Sequence, residues 1–250
     1  MDKTILVSGS SGMIGKALCM KLEAEGFEVR KLKRSSVDLG TNEFFWNPKE
    51  SEIDILAIEG ADCVVHLAGE PIAQNWNQKS RKAISDSRIL GTRLLVESMK
   101  LAESKAKFIS SSGINFYGAK IGLHTDGEDA IINGADGFLS EVCHEWEAEA
   151  KSLVESGNSV ICLRTGVVLN KKGGALARML PAFQLALGGV IGSGKQWMSW
   201  IELDDLVKVI LWSINSDYSG PLNAVAPSPV QNKDFVKALG RILKLPTVLP

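Results

Sequence analysis

Several features are scarce in this sequence, and each scarcity excludes a class of protein. No apolar run approaches the ~20 residues that a membrane-spanning helix needs, so we expect no contact with a membrane. The 28 Lys and Arg side chains are balanced by 29 Asp and Glu, which argues against a surface for nucleic acid. The four cysteines lie far apart without a Cys-x-x-Cys pair, as is typical of reduced thiols. These absences together favour a cytoplasmic protein.

Short apolar segments alternate with longer amphipathic segments along the 250 residues. Such alternation predicts an α/β fold with βαβ units, a doubly wound parallel sheet with helices on both faces. Strands are predicted at 4–7, 28–32, 63–67, 107–111 and 160–164, with helices at 13–25, 78–102 and 138–155. After residue 165 glycine becomes frequent and an aromatic stretch follows. We therefore predict a nucleotide-binding domain at 1–165, with the remaining sheet and helix elements and a small substrate lobe at 166–250.

A glycine-rich segment follows the first predicted strand directly and opens the first predicted helix. Its three glycines have the spacing G-x-x-G-x-x-G, at positions 9, 12 and 15. A turn of this kind lets a pyrophosphate approach the backbone, where the helix N-terminus offers N–H groups and a positive dipole end. The segment predicts a dinucleotide site, although a glycine-rich turn without a ligand is the alternative. We assign the backbone contacts to Gly9, Ser11, Gly12, Met13 and Ile14.

The end of the second predicted strand is basic. Lys33 and Arg34 stand where an NAD-binding protein commonly carries an acid for the ribose hydroxyls. Because a guanidinium can bind a phosphate in bidentate fashion, this end favours NADP (as NADPH) over NAD, with Arg34 as the main contact. A solvated basic strand end is the alternative.

Small residues follow the strand at 63–67. Leu67, Ala68 and Gly69 would let a ligand pass over the carboxyl edge of the sheet, so we assign them to the cofactor. His66 precedes them within an apolar strand, where a core role is the favoured interpretation.

In this order the motifs resemble the extended short-chain dehydrogenase/reductase superfamily. More closely, the chain resembles the YfcH-like NAD(P)-dependent epimerase/dehydratase family, an atypical branch sometimes called cell-division-inhibitor-like. The matching segments include LAGEPIA at 67–73, LRTGVVL at 163–169 and LGGVIGSG at 187–194. The resemblance covers essentially the whole chain and implies a Rossmann domain with a small C-terminal substrate lobe. Relatives continue beyond residue 250, so we expect this lobe to be truncated.

The resemblance also implies further contacts. It places Arg88 at the cofactor, although a surface cation is the alternative, and we add Ser111 of the serine cluster at 110–112. Relatives of the extended branch often dimerise through helices that correspond to 78–102 and 138–155, so the resemblance implies a homodimer.

Tyrosine is scarce as well, and this scarcity bears on catalysis. The superfamily uses a Ser together with a Tyr and a Lys spaced Tyr-x-x-x-Lys. Ser112 occupies the serine position, but neither of the two tyrosines, Tyr117 and Tyr218, has a Lys four residues later. We name Ser112, Tyr117 and Glu141 as candidate catalytic residues.

The expected function is an NADP(H)-binding epimerase or oxidoreductase acting on a small or nucleotide-linked substrate. A non-catalytic, NADP(H)-binding regulatory protein is the alternative, because the usual Tyr and Lys are missing.

Overall fold

The computed structural model describes residues 3–118 and 137–247. Twelve strands lie in these residues: β1 (Thr4–Ser8), β2 (Glu28–Lys33), β3 (Glu43–Asn47), β4 (Glu52–Ile53), β5 (Cys63–His66), β6 (Lys107–Gly113), β7 (Val160–Thr165), β8 (Val167–Asn170), β9 (Trp197–Met198), β10 (Trp200–Glu202), β11 (Gly220–Ala224) and β12 (Val230–Gln231). The described α-helices are α1 (Met13–Ala24), α2 (Gln78–Leu101), α3 (Phe138–Lys151), α4 (Gly174–Gln184), α5 (Leu203–Asn215) and α6 (Asn232–Leu243).

Eight strands form one sheet in the order β11-β7-β6-β5-β1-β2-β3-β4. β1 pairs in parallel with both β2 and β5, and the pairs β2–β3 and β5–β6 are parallel as well. β4 is antiparallel to β3. The chain runs outward from β1 in one direction as far as β4 and in the other direction from β5. The carboxyl ends of β1 and β5 therefore flank the switch point, where open α/β sheets bind ligands. The predicted α/β Rossmann-type fold is confirmed.

The hydrophobic core packs against the central strands of the eight-stranded sheet. All five residues of β1 are buried, as are all four of β5, because a parallel sheet with both faces covered requires apolar side chains on both. Leu95 and Met99 of α2 pack in the same cluster as Leu6, Val64 and Phe108. This packing fixes the strand ends that carry the candidate site.

The chain forms two compact units. The first comprises Met1–Arg164 and Val207–Asn223, so residues 207–223 of the predicted C-terminal part lie in the first unit, where β11 extends the large sheet. The second comprises Thr165–Leu206 and Ala224–Pro250. Within it, β8 pairs with β10, β9 pairs with β12, and Phe183 of α4 packs with Val236 and Leu239 of α6.

The described ranges contain neither a membrane-spanning helix nor a metal-binding cluster. No helix there is both long and apolar enough to cross a membrane. No group of three or more His, Cys, Asp or Glu side chains in the same ranges could hold a metal ion.

Candidate functional site

The glycine loop between β1 and α1 lies in close contact with the backbone of the segment that follows β5. Gly9 has a φ of +71°, and a Cβ on this residue would lie 2.7 Å from the backbone nitrogen of Ala68. A Cβ on Gly15 would lie 2.8 Å from the Cα of Ser10, inside the same turn. The Gly12 N–H donates to the Gly9 carbonyl at 3.0 Å and closes the turn. Only glycine fits at these places, so the spacing read from the sequence corresponds to a real close approach of backbones.

The N-terminus of α1 opens from this loop. Gly12 is its N-cap, without a side-chain cap, and the first turn has no acidic residue. The first N–H groups of a helix have no partner within the helix and carry its positive dipole end. The Ser10 hydroxyl beside them is buried without a hydrogen-bond partner among the described residues. A buried donor of this kind costs free energy unless a ligand or water satisfies it, so the loop fits an anion.

Ser8, at the end of β1, holds the chain that leaves β5. Its Oγ accepts the N–H groups of Leu67 at 3.2 Å and Ala68 at 3.3 Å and lies 2.6 Å from His66 Nδ1. The hydroxyl proton therefore goes to Nδ1, which makes His66 the neutral tautomer protonated on Nε2. Burial, with Arg88 as a smaller cause, lowers the pKa of His66 to about 3. His66 is a neutral core residue that fixes the ligand-facing segment, in agreement with the sequence interpretation.

An acidic side chain from the neighbouring strand β3 lies at the basic end of β2, and the sequence did not predict it. Arg34 is exposed directly after β2. Lys33 Nζ, however, lies 3.0 Å from Oε1 of Glu43, the first residue of β3. The hydrogen bond from Lys33, with a second from the Gly40 N–H, holds the pKa of Glu43 below its usual range. β3 was not predicted from the sequence, and only its pairing with β2 brings this carboxylate to the strand end.

Arg88 of α2 lies beneath the segment that follows β5. Its side chain is buried, and Nη1 donates to the backbone carbonyls of Glu70 at 3.1 Å and Ile84 at 2.9 Å. A Cβ on Gly69 would lie 3.3 Å from its Cζ. The guanidinium also stacks over the Trp146 ring, 5.3 Å from the centroid. Burial lowers the pKa of Arg88, and its hydrogen bonds among the described residues go to carbonyls, so this cation favours an incoming anion.

A buried polar network lies at the end of β6. Ser112 Oγ donates to Oε1 of Glu147 at 2.7 Å. Arg164 donates two hydrogen bonds to the same carboxylate, from Nε to Oε1 at 2.8 Å and from Nη2 to Oε2 at 2.9 Å. Arg164 Nη1 donates to the Tyr117 hydroxyl at 3.1 Å, and that hydroxyl donates to Asn223 Oδ1 at 2.8 Å. One chain of hydrogen bonds thus joins α3, β6, β7 and β11.

The network is both charged and enclosed. The Arg164 and Glu147 side chains are 0% and 1% exposed. Burial alone would lower the pKa of Arg164, but the hydrogen bonds with Glu147 and Tyr117 raise it overall, so the guanidinium remains charged. The same guanidinium lies 3.5 Å from the centroid of the Phe116 ring. These contacts hold Tyr117 and Ser112 in fixed positions relative to one another.

The structure brings some predicted site residues together and leaves others apart. Ser112 and Tyr117 meet through Glu147 and Arg164, as described, whereas Glu141 is exposed in the first turn of α3 and lies outside this network. The cofactor candidates form the rim of the carboxyl edge: Gly9, Ser11, Gly12, Met13 and Ile14 in the glycine loop, Lys33 and Arg34 after β2, Leu67, Ala68 and Gly69 after β5, Arg88 below them, and Ser111 in β6. The sequence did not predict a role for Glu147, and its partnership with Arg164 follows only from the packing of α3 beside β7.

A Rossmann-type sheet with a glycine loop at its switch point defines a dinucleotide-binding protein of the α/β class. Comparison with known families agrees: residues 5–225 match the NAD dependent epimerase/dehydratase family, and the chain belongs to it.

Individual relatives extend over nearly the whole chain. An epimerase family protein of Mycobacterium leprae is 39% identical over 248 residues, which are 98% of this chain and 79% of that protein. The crystal structure of human epimerase family protein SDR39U1 (isoform 2) with NADPH has a TM-score of 0.86 and 31% identity, covering 99% of this chain and 82% of that one. A nucleoside-diphosphate sugar epimerase from Corynebacterium glutamicum has a TM-score of 0.81 and 34% identity, covering 99% of this chain and 52% of that one.

Proposed function

We propose that the protein binds NADP(H) at the carboxyl edge of its sheet and acts as an atypical short-chain dehydrogenase/reductase of the YfcH-like branch. The reaction is an epimerisation or an oxidoreduction of a small or nucleotide-linked substrate. The observation that carries the proposal is the glycine loop, where Gly9 lies against Ala68 and the N-terminus of α1 is uncapped. A human relative crystallised with NADPH supports the choice of cofactor.

The residues present fit a dinucleotide. The N–H groups of Met13 and Ile14, with Gly12 and Ser11 beside them, would hold the pyrophosphate at the positive end of α1. Arg34, exposed after β2, would hold the 2′-phosphate that distinguishes NADP from NAD. Leu67 and the residues after it, with Arg88 below and Ser111 on β6, would complete the edge over which the cofactor lies. When bound, the group supplies hydride transfer.

The network at β6 supplies the groups that would handle protons. In the superfamily a lysine supports the catalytic tyrosine. Here Arg164 Nη1 donates to the Tyr117 hydroxyl, so a cation lies beside this tyrosine. Tyr117 would exchange a proton with the substrate, and Ser112, whose own proton is donated to Glu147, would accept a hydrogen bond from it. Glu141, exposed on α3, has no place in this scheme.

A non-catalytic NADP(H)-binding regulator is the second candidate. The hydroxyl protons of Ser112 and Tyr117 are already donated within the network, to Glu147 and Asn223. The usual Tyr-x-x-x-Lys pair is missing from the sequence, and burial raises the pKa of the Cys143 thiol on α3 to about 11. Binding without turnover is the behaviour that these observations favour.

Two measurements test the proposal and separate the candidates. Calorimetric titration with NADPH and with NADH should give tighter binding of NADPH, and Arg34→Ala should weaken NADPH at least ~10-fold while sparing NADH. Lys100→Ala, in the last turn of α2, removes the same charge at the opposite edge and should change neither affinity. Equal binding of the two cofactors by the wild type would refute the NADP preference.

The second measurement follows NADPH absorbance with sugar nucleotides, ketones and aldehydes. Turnover of any of them supports the enzyme, whereas tight NADPH binding with no turnover supports the regulator.

A further inference from the structure

At the end of β2, where the proposed function puts the 2′-phosphate of NADP, a carboxylate from the neighbouring strand lies beside the basic side chains. β2 and β3 run in parallel, with Lys31 paired to Glu43, so the two side chains lie on the same face of the sheet. Lys33 is two residues further along that face, and the Glu43 carboxylate reaches forward to its Nζ at 3.0 Å. Both side chains are partly exposed, at 33% for Lys33 and 23% for Glu43. The ion pair is therefore open to solvent at the end of β2, the strand end at which dinucleotide sites bind the ribose.

The same carboxylate organises the connection between the two strands. Its Oε2 accepts the N–H of Gly40 at 3.1 Å, within the nine residues that join β2 to β3. Glu43 is thus fixed beside Lys33 by two independent bonds. Because the carboxylate is fixed, it cannot swing away when an anion arrives without giving up both bonds.

Charge at this end is consequently mixed. Of the two cations that follow one another at 33 and 34, Lys33 is neutralised by Glu43, and Arg34 is the one without an ion pair among the described residues. A 2′-phosphate would compete with Glu43 for Lys33 and would be repelled by the carboxylate. A 2′-hydroxyl would find in the same carboxylate the acceptor that NAD sites commonly use.

We infer that Glu43 is a specificity-determining residue that narrows the preference of this site for NADPH over NADH. The inference rests on the proposed function, since it concerns the cofactor assigned there. Glu43 does not bind the phosphate; it withholds Lys33 from it and offers NADH an alternative contact.

Glu43→Gln tests the inference with little risk to the fold. The glutamine has the same shape, and its amide oxygen can still accept the Gly40 N–H while the negative charge is removed. NADPH should bind about five- to tenfold more tightly, because one carboxylate no longer repels the phosphate and Lys33 is released. NADH should bind equally or more weakly. The gain in NADPH affinity should shrink as salt is raised from about 0.05 to 0.5 M, since the site is exposed.

Glu23→Gln is the matched control. Glu23 of α1 pairs with Lys31 at 2.7 Å, on the same face as Glu43, so this variant removes an equal charge from the neighbouring lysine. It should leave the ratio of NADPH to NADH dissociation constants within about twofold of the wild type. Lys33→Met in the Glu43→Gln background should reverse part of the gain.

The titrations separate failure of the inference from failure of the proposed function. A higher NADPH preference in Glu43→Gln alone supports the inference. An unchanged or lower preference, or the same change in Glu23→Gln, overturns it while the proposed function stands. Absence of dinucleotide binding in the wild type and in every variant overturns both.

Discussion

The ion pair of Glu147 and Arg164 should be the most sensitive charged contact in the protein. Glu147→Leu removes the carboxylate and leaves the fully buried guanidinium with its charge uncompensated. The variant also takes away the acceptor for Ser112 and for two donors of Arg164. Removing one partner of a buried ion pair costs about 3–5 kcal/mol, out of roughly 5–15 kcal/mol for a typical domain. The melting temperature should fall by about 6–20 °C.

Urea unfolding followed by circular dichroism, with linear extrapolation, measures this loss. The double variant Glu147→Leu with Arg164→Met replaces both charges by apolar groups and should regain most of the stability. About 1–2 kcal/mol should stay lost, because the buried Ser112 hydroxyl still has no acceptor and Tyr117 no longer receives its hydrogen bond from Arg164.

An exposed ion pair serves as the control. Lys82 and Asp86 form an i,i+4 pair with side chains 75% and 34% exposed. Asp86→Asn should change the unfolding free energy by less than about 0.5 kcal/mol. A loss below about 1 kcal/mol for Glu147→Leu, or a double variant as unstable as the single one, would refute the reasoning from burial.

Three further predictions concern acid stability, the glycine loop and the thiols. His66 has a native pKa of about 3 against an ordinary 6.5, so the unfolded chain binds a proton that the native state excludes. Stability should fall by about 1.5 kcal/mol between pH 6.5 and 5, and urea midpoints of His66→Asn should lack this component; equal pH slopes would contradict it. Gly9→Ala should weaken NADPH binding at least ~10-fold, because the added Cβ would collide with the backbone after β5. Gly26→Ala is the control: this glycine has a φ of +86° in open space, so its substitution should cost about 1 kcal/mol of stability and leave the NADPH affinity unchanged. Equal NADPH affinities of the two variants would contradict the close contact of the glycine loop. Burial raises the pKa of Cys63 and Cys162 to about 12, so these thiols should react with Ellman's reagent at pH 8 only after unfolding; fast labelling of native protein would contradict their burial.

The sequence predicts the central sheet well for a physical reason. Strands covered on both faces must be continuous apolar runs, and such runs mark β1, β5 and β7 without reference to their partners. α4 escapes prediction because it begins among glycines and contains Pro181. β3 escapes it as well, because four of its five residues are only partly buried and it lacks the fully buried apolar pattern of the central strands.

The candidate site is predictable only where a local backbone requirement determines the residue type. The glycine loop is such a case, because close approach excludes a side chain at Gly9. The Lys33–Glu43 and Arg164–Glu147 pairs are not, since each depends on which strand or helix face lies beside the other. Which elements become neighbours is decided in the folded chain, so the sequence separation of 33 from 43, or of 147 from 164, does not by itself reveal these pairs.

The central claim is that the glycine loop binds a nicotinamide dinucleotide with a preference for the phosphorylated form. Calorimetric titration of the wild-type protein with NADPH, beside an identical titration with NADH, tests it most directly. The account predicts saturable binding of one NADPH per chain, with NADH weaker. Absence of NADPH binding at millimolar concentration, or tighter binding of NADH, would contradict it.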